Sequence, residues 1–206
     1  SLVEDPQINE YINEIGHRVA SHINDSETSF TFFVIDDPSL NAFALPGGYI
    51  GVHSGLIEST RSEDELAGVL AHEIAHVTQR HIARAMAASQ RQSLLSTAIM
   101  LGAVIAGATG AGSDAVQGAM AVAQGTQAQQ QINFTRDNEY EADRIGISAM
   151  ASAGFDPRGM ASFFEVMSGT NTIGSMRIPE FLQTHPVSSS RIAEAKNRAR
   201  LFAKKN

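Results

Sequence analysis

His72-Glu73-Ile74-Ala75-His76 is the segment of this chain whose residue types and spacing most clearly suit chemistry. Histidines four apart project from one face of a helix, one turn above the other. Two neutral imidazoles so placed can hold one tetrahedral zinc ion. Glu73, beside the first histidine, would lean into the open side of the metal and act as general base toward water. Gly68 and Ala75 are small and would leave room there for metal and substrate. His81 lies nine residues past His72, which at 100° per residue turns it about 180° away. It is therefore expected to be a solvated or capping histidine outside the site.

A hydrolytic zinc site needs a third protein ligand and one open position. The chain contains no cysteine, which excludes thiolate ligands, disulfides, thiol nucleophiles and iron–sulfur chemistry. The third ligand must then be His, Asp or Glu. Glu139 and Asp143, in the run Glu139-Tyr140-Glu141-Ala142-Asp143, are four apart and share a helix face. The economical assignment makes Glu139 the ligand, with Asp143 accepting the free N–H of a ligand histidine and fixing its tautomer. On spacing alone, an ordinary acidic helix start favoured by the macrodipole accounts for the same residues.

The elements that must position these groups read as an α+β chain, mainly helical, with one small antiparallel or mixed sheet. Asp5-Pro6 caps a first helix with an apolar stripe to about residue 24. Residues 29–35 are aromatic and β-branched, a buried strand. Residues 41–52 read as paired strands around Pro46-Gly47-Gly48. Ser62 and Glu65 form a capping box that starts the long helix bearing both histidines, its apolar content running as far as Ile82. Thr135 or Asp137 is expected to cap the helix of Glu139, which ends at Gly154. Met160, Phe163, Phe164 and Met167 mark a packed helix, residues 169–187 read as loop, and Ser188–Ser190 cap a last helix. The 206 residues fit a single domain, with an Ala/Gly-rich helical insert at about 93–128. Lys and Arg number 15 against 22 Asp and Glu, a net charge of −7 with no long basic block, so nucleic acid is not an expected partner.

The order of four motifs adds to this. Asn41-Ala42-Phe43-Ala44-Leu45-Pro46-Gly47-Gly48, the His72–His76 motif, the Glu139–Asp143 motif and Thr184-His185-Pro186-Val187-Ser188-Ser189-Ser190-Arg191 together resemble the HtpX and CAAX-prenyl-endopeptidase family of zinc metallopeptidases. The likeness covers the chain almost end to end. It lies nearest the soluble periplasmic branch, without the tetratricopeptide repeats that branch often carries. The resemblance implies a zincin-type fold of the gluzincin class and one zinc ion per chain, held by His72, His76 and Glu139. Glu73 would be general base, and Asp143 would support a ligand histidine. It also implies that His185 and Arg191 lie over the zinc and stabilise the charge of the transition state. His185 has a second expected role: a loop folded inward would bring its imidazole to the open zinc position and make the enzyme latent.

An extended polypeptide is the substrate this implies. Asn41, Ala42, Phe43 and Ala44 are the candidate edge strand for pairing with it. Gln92–Ser113 is 22 residues without a charge, long enough to cross a bilayer, although serine, threonine and glycine make its hydropathy marginal. Two helices covering the cleft, membrane-surface or envelope-protein contact, and a mobile loop are the alternatives for the insert. The opening Ser1-Leu2-Val3-Glu4-Asp5-Pro6 has no charged n-region and no apolar h-region, which fits a cytosolic chain or one whose signal has been removed. The resemblance implies a periplasmic or envelope-associated protein. The expected function is zinc-dependent hydrolysis of peptide bonds in misfolded or misassembled envelope proteins. The competing expectation is a chaperone-like or membrane-associated binding module with a structural or latent zinc.

Overall fold

The computed structural model describes residues 1–23, 25, 27–110, 112–170 and 178–203. Residues 1–80 and 139–206 form one compact unit, and residues 81–138 form another. The first unit holds the sheet and six of the helices described below.

Helix α1 (Pro6–Ala20) starts where Asp5 accepts hydrogen bonds from the N–H groups of Gln7 and Ile8. Its apolar stripe buries Ile12, Ile15 and Val19. Strands β1 (Thr31–Ile35), β2 (Ala42–Leu45) and β3 (Tyr49–His53) make a mixed sheet in the order β1-β3-β2. β1 runs parallel to β3, and β2 pairs antiparallel with β3, with Phe43 opposite Gly51. The outer edge of β1 is covered by the chain's first residues: the Val3 N–H donates to Val34 O at 2.9 Å, and the Asp36 N–H donates to Ser1 O at 2.8 Å. The remaining edge of the sheet belongs to β2.

Helix α2 (Ser54–Ser59) is short and leads into α3 (Glu63–Thr78), which is buried along twelve consecutive residues from Glu65 to His76. Ser62 caps it by accepting from the Glu65 N–H, and three acids in the first turn complement the dipole. Glu65 reaches back one residue past the cap, accepting from the Arg61 N–H at 2.7 Å. The helix stops before Ile82: Arg80 takes a positive φ of 54°, and a new helix begins at His81. α6 (Arg158–Thr170) packs across α3, burying Met160, Phe163, Phe164 and Met167. α7 (Glu180–Thr184) interrupts the stretch expected as loop, of which residues 171–177 lie outside the described residues. α8 (Ser189–Ala203) closes the unit, its start held by Ser188, which accepts from the Arg191 N–H at 3.2 Å.

Helices α4 (His81–Ala108) and α5 (Ser113–Ser152) account for the insert and for the Glu139 motif. The expected cap at Thr135 or Asp137 does not exist. α5 runs through both, because alanine, glutamine, methionine and isoleucine on either side are adequate helix formers and no Gly or Pro breaks the run from Thr126 to Ile145. It ends as expected, with Gly154 at φ +82° in the left-handed region.

Gly68 also corrects the reading given above. A Cβ there would lie 2.8 Å from the Cα of Met160, so the missing side chain lets α3 and α6 approach closely. It makes room for a helix backbone, which cannot swing aside as a side chain would. Gly68→Ala is therefore expected to lower stability by about 1–3 kcal/mol through overpacking, read as a fall in Tm of the metal-free chain. An unchanged Tm would show that the contact is slack.

Candidate metal centre

α3 presents His72 and His76 on one face, and their Nε2 atoms stand 2.9 Å apart. Glu139 on α5 faces both, its Oε2 3.2 Å from His72 Nε2 and its Oε1 3.2 Å from His76 Nε2. His185, directly after α7, brings its Nδ1 to 3.2 Å from His72 Nε2 and 3.1 Å from Glu139 Oε1. One donor atom from each of these four residues lies within 4.8 Å of the other three. The described residues contain no second grouping of this kind. Imidazole nitrogens and a carboxylate oxygen aimed at one point are the donor set of a borderline divalent cation.

The second ring nitrogen of His72 is occupied. His72 Nδ1 lies 2.9 Å from Asp143 Oδ1, so Asp143 accepts the Nδ1–H and leaves Nε2 facing the cluster. Arg191 on α8 donates to both oxygens of Asp143, from Nε and Nη2, each at 2.8 Å. Its Nη1 donates to Glu139 Oε2 at 2.8 Å and to Pro186 O at 2.7 Å. The guanidinium is 2% exposed and lies 4.7 Å over the ring of Phe164. All three of its nitrogens are thus engaged by protein acceptors, and Pro186 O ties the segment after His185 to the carboxylates.

Packing sets the position of His185. Its ring stacks on Phe181 at 4.7 Å, and its N–H donates to Phe181 O at 2.8 Å. Phe181 in turn donates its N–H to Leu40 O, just ahead of β2. Glu73 is 1% exposed, with Oε1 3.3 Å from His185 Nε2 and no hydrogen-bond partner on that oxygen among the described residues. A buried carboxylate oxygen left without a partner is costly in a finished core. It fits a group whose partner arrives with a ligand.

The electrostatics follow from burial. Desolvation opposes a charge on His72, but Glu139 and Asp143 outweigh it and raise its pKa to about 10. Desolvation pushes His76 down to about 3, with the neighbouring His72 charge adding to the effect. Glu73 is pushed up by burial. For Glu139 burial acts upward, but the charge on His72 and hydrogen bonds from His185, His72 and His76 hold its carboxyl far below the usual range. Asp143 is lowered, against desolvation, by His72 and Arg191.

The expected substrate strand lies at the sheet edge that no other strand among the described residues pairs with. Ala42 is fully buried, Phe43 and Ala44 are half-buried and Leu45 is exposed. Asn41 precedes the strand; it is 7% exposed, and its Oδ1 has no partner among the described residues. His81 differs from expectation: it is 3% exposed, hence buried, and stands outside the four-residue grouping. Phe181 had no signal of its own in the sequence, because a five-residue helix carries too little periodicity to be seen.

Residues 6–199 match the model of Peptidase family M48. The chain is 45% identical, over 98% of its length, to the putative beta-barrel assembly-enhancing protease of Vibrio cholerae. It is 45% identical, over 96%, to the beta-barrel assembly-enhancing protease of Escherichia coli K12. Over 88% of its length it is 33% identical to the mitochondrial metalloendopeptidase OMA1 of Schizosaccharomyces pombe. It spans 41%, 40% and 50% of those relatives' own lengths. With the family match running from α1 into α8 and across the whole histidine–carboxylate cluster, this chain belongs to Peptidase family M48.

Proposed function

We propose that the chain is the catalytic part of a zinc-dependent endopeptidase that cuts extended polypeptides. One observation carries the reading: His72, His76 and Glu139, from two different helices, converge on one point beside a buried Glu73. Zinc is the ion that two imidazoles and one carboxylate suit best, and when bound it supplies Lewis-acid polarisation of the scissile carbonyl and of the attacking water.

The chain's own residues do the rest. Glu73 takes the proton of the attacking water and passes it to the leaving amine. Asp143 holds His72 in the tautomer that keeps Nε2 free. Arg191 acts through Glu139 and Asp143, offsetting their charge and fixing their direction. β2 offers its free edge to pair with the substrate backbone, with Asn41, Ala42, Phe43 and Ala44 as the contact residues. The names of the two bacterial relatives place those proteins in beta-barrel assembly. By extension, the proposed substrates here are misassembled envelope proteins, and the proposed location is the periplasm or envelope.

His185 gives this reading a resting state. Its Nδ1 stands among the other donors, so it serves as a fourth ligand and occupies the place that substrate and water need. The site is then latent until the segment after α7 moves, and His185 afterwards turns to the substrate carbonyl.

Three outcomes are expected. Glu73→Gln lowers kcat on an unfolded protein substrate by about 10²–10⁴-fold while elemental analysis still finds metal; a binding module would be indifferent to the change. His185→Ala raises metal-dependent proteolysis, and no rise under any condition would remove the latent state. The third outcome concerns protons. A ligand histidine must be neutral, and His72 in the metal-free chain is charged up to about pH 10, whereas His76, at about 3, is already neutral. Zinc uptake near pH 7.5 should therefore release the His72 proton, with at most one more from Glu73, and the His72 share should vanish as pH rises past 10. Calorimetry in buffers of differing ionisation enthalpy reads it, and zero release near pH 7.5 would contradict the charge assigned to His72.

A further inference from the structure

The unit formed by residues 81–138 is built unlike the other. α4 and the first part of α5 pair as an antiparallel hairpin: Ser96 Oγ donates to Gln127 Oε1 at 3.0 Å, and the turn between the helices carries Gly110 at φ +101°. Ser96, Ile99 and Ala103 lie along the seam, which still leaves a groove of about 190 Å³ between Ile99 and Met120. Leu94, Leu101 and Ile105 fall within about 40° of one another on the side opposite that seam, and Leu95 and Met100 lie on its two flanks. Leu94, Leu95, Met100, Leu101, Val104 and Ile105 are each 58–74% exposed.

From Leu94 to Ala108, α4 is thus apolar on nearly every side, and α5 covers only one side of it. Such a helix belongs in the core of a large protein or in lipid. It is long and apolar enough to cross a membrane, yet only 6% of its most apolar stretch is buried, and it is not near the chain's start. A second copy or a partner helix would cover one more side and leave the rest bare, whereas lipid covers every side at once.

Charge points the same way. Residues 81–138 carry three arginines (Arg84, Arg91 and Arg136) against two aspartates, in a chain whose net charge is −7. All three arginines lie toward the open end of the hairpin, before and after the apolar run, and with Asp137 beside Arg136 that end carries a net charge of +2. An anionic headgroup layer complements that end.

We infer that α4 is a lipid-binding helix that lies in the surface of an anionic bilayer, with α5 above it. It does not span. Asp114 stands at the hairpin tip, and Gln117, Gln124, Gln129, Gln130 and Gln131 follow on α5. Threading the tip through hydrocarbon would carry an aspartate across at about 2.5–3.5 kcal/mol. In the plane of the surface, Asp114 and Gln129 stay wet while α4 sinks among the acyl chains.

The inference stands apart from the hydrolytic reading, since no residue of the metal centre enters it. The chain has no tryptophan, so Leu101→Trp on α4 and Gln129→Trp on α5 each give a single reporter. The probe is vesicles of equal parts phosphatidylcholine and phosphatidylglycerol, added to the full chain. Leu101→Trp emission should move to shorter wavelength and be quenched by brominated acyl chains, while Gln129→Trp emission stays put. The triple variant Leu94→Glu, Leu101→Glu, Ile105→Glu should float with vesicles at least about tenfold less, with metal affinity and the main thermal transition unchanged. Three results would each overturn the inference: no shift at Leu101→Trp with vesicles, undiminished flotation of the triple variant, or a shift already present without lipid together with a dimer mass in sedimentation, which would assign the face to a second copy. Equal quenching of both reporters would overturn the in-plane arrangement.

Discussion

Glu139 is a carboxylate taken almost wholly out of water, and the unit that carries the histidine–carboxylate cluster is arranged around the need to compensate it. Desolvating an ionised carboxylate costs several kcal/mol even after relaxation. The partners that offset this come from three separate stretches of chain: His72 and His76 from α3, His185 from the end of α7 and Arg191 from α8. None of these can be near Glu139 unless α3, α5 and α8 pack at their observed separations. The close contact of α3 with α6 at Gly68 and Met160, and the burial of Phe163 and Phe164, belong to the same requirement. Apolar packing sets the spacing, and the ionic cluster makes that spacing specific.

Arg191 shows how the two kinds of force interlock. Its guanidinium is shared among Asp143, Glu139 and Pro186 O, with an aromatic face beneath it. A lysine could not span these acceptors, because an ammonium lacks the planar fork. The same side chain that orients two carboxylates therefore also anchors the residue after His185. Position of the His185 segment and charge balance at Glu139 are linked through one group. Phe181 supplies the other hold on His185, and through Leu40 it also touches the lead-in to the sheet edge.

How much of this could be read from the sequence depends on distance along the chain. His72 and His76 were legible because helical period alone places them together, and Glu139 with Asp143 for the same reason. That Glu139 faces His72 and His76, rather than merely starting an acidic helix, is tertiary information, since no local rule joins α5 to α3. His185 and Arg191 stood out only through family resemblance, because a loop histidine and a helix arginine carry no pattern of their own. The small size of Gly68 suggests space for a ligand in the sequence, but in the fold a helix backbone fills that space. The cap expected near Thr135 failed because local side-chain bonding competes weakly with a helix already under way. His81 looked solvent-facing from its angle relative to His72, but that extrapolation assumed one helix, and the chain turns at Arg80 before His81 begins the next.

The charge of the metal-free cluster points to one further linkage. Glu139 and Asp143 are negative, Arg191 and His72 are positive, and the four cancel. Burial raises the Glu73 carboxyl above its ordinary range, and the Glu139 charge adds to this while His72 and Arg191 act against it. Under the proposed reading, a divalent ion replaces the His72 proton, and the cluster gains one net positive charge. That surplus is what an ionised Glu73 would offset. The general base would thus acquire its basic form when the ion is present and tend to lose it when the ion is absent. In this arrangement the ion and the base are not independent parts: His72, which must shed a proton to bind the one, sits beside Glu73 on α3 and sets the field felt by the other.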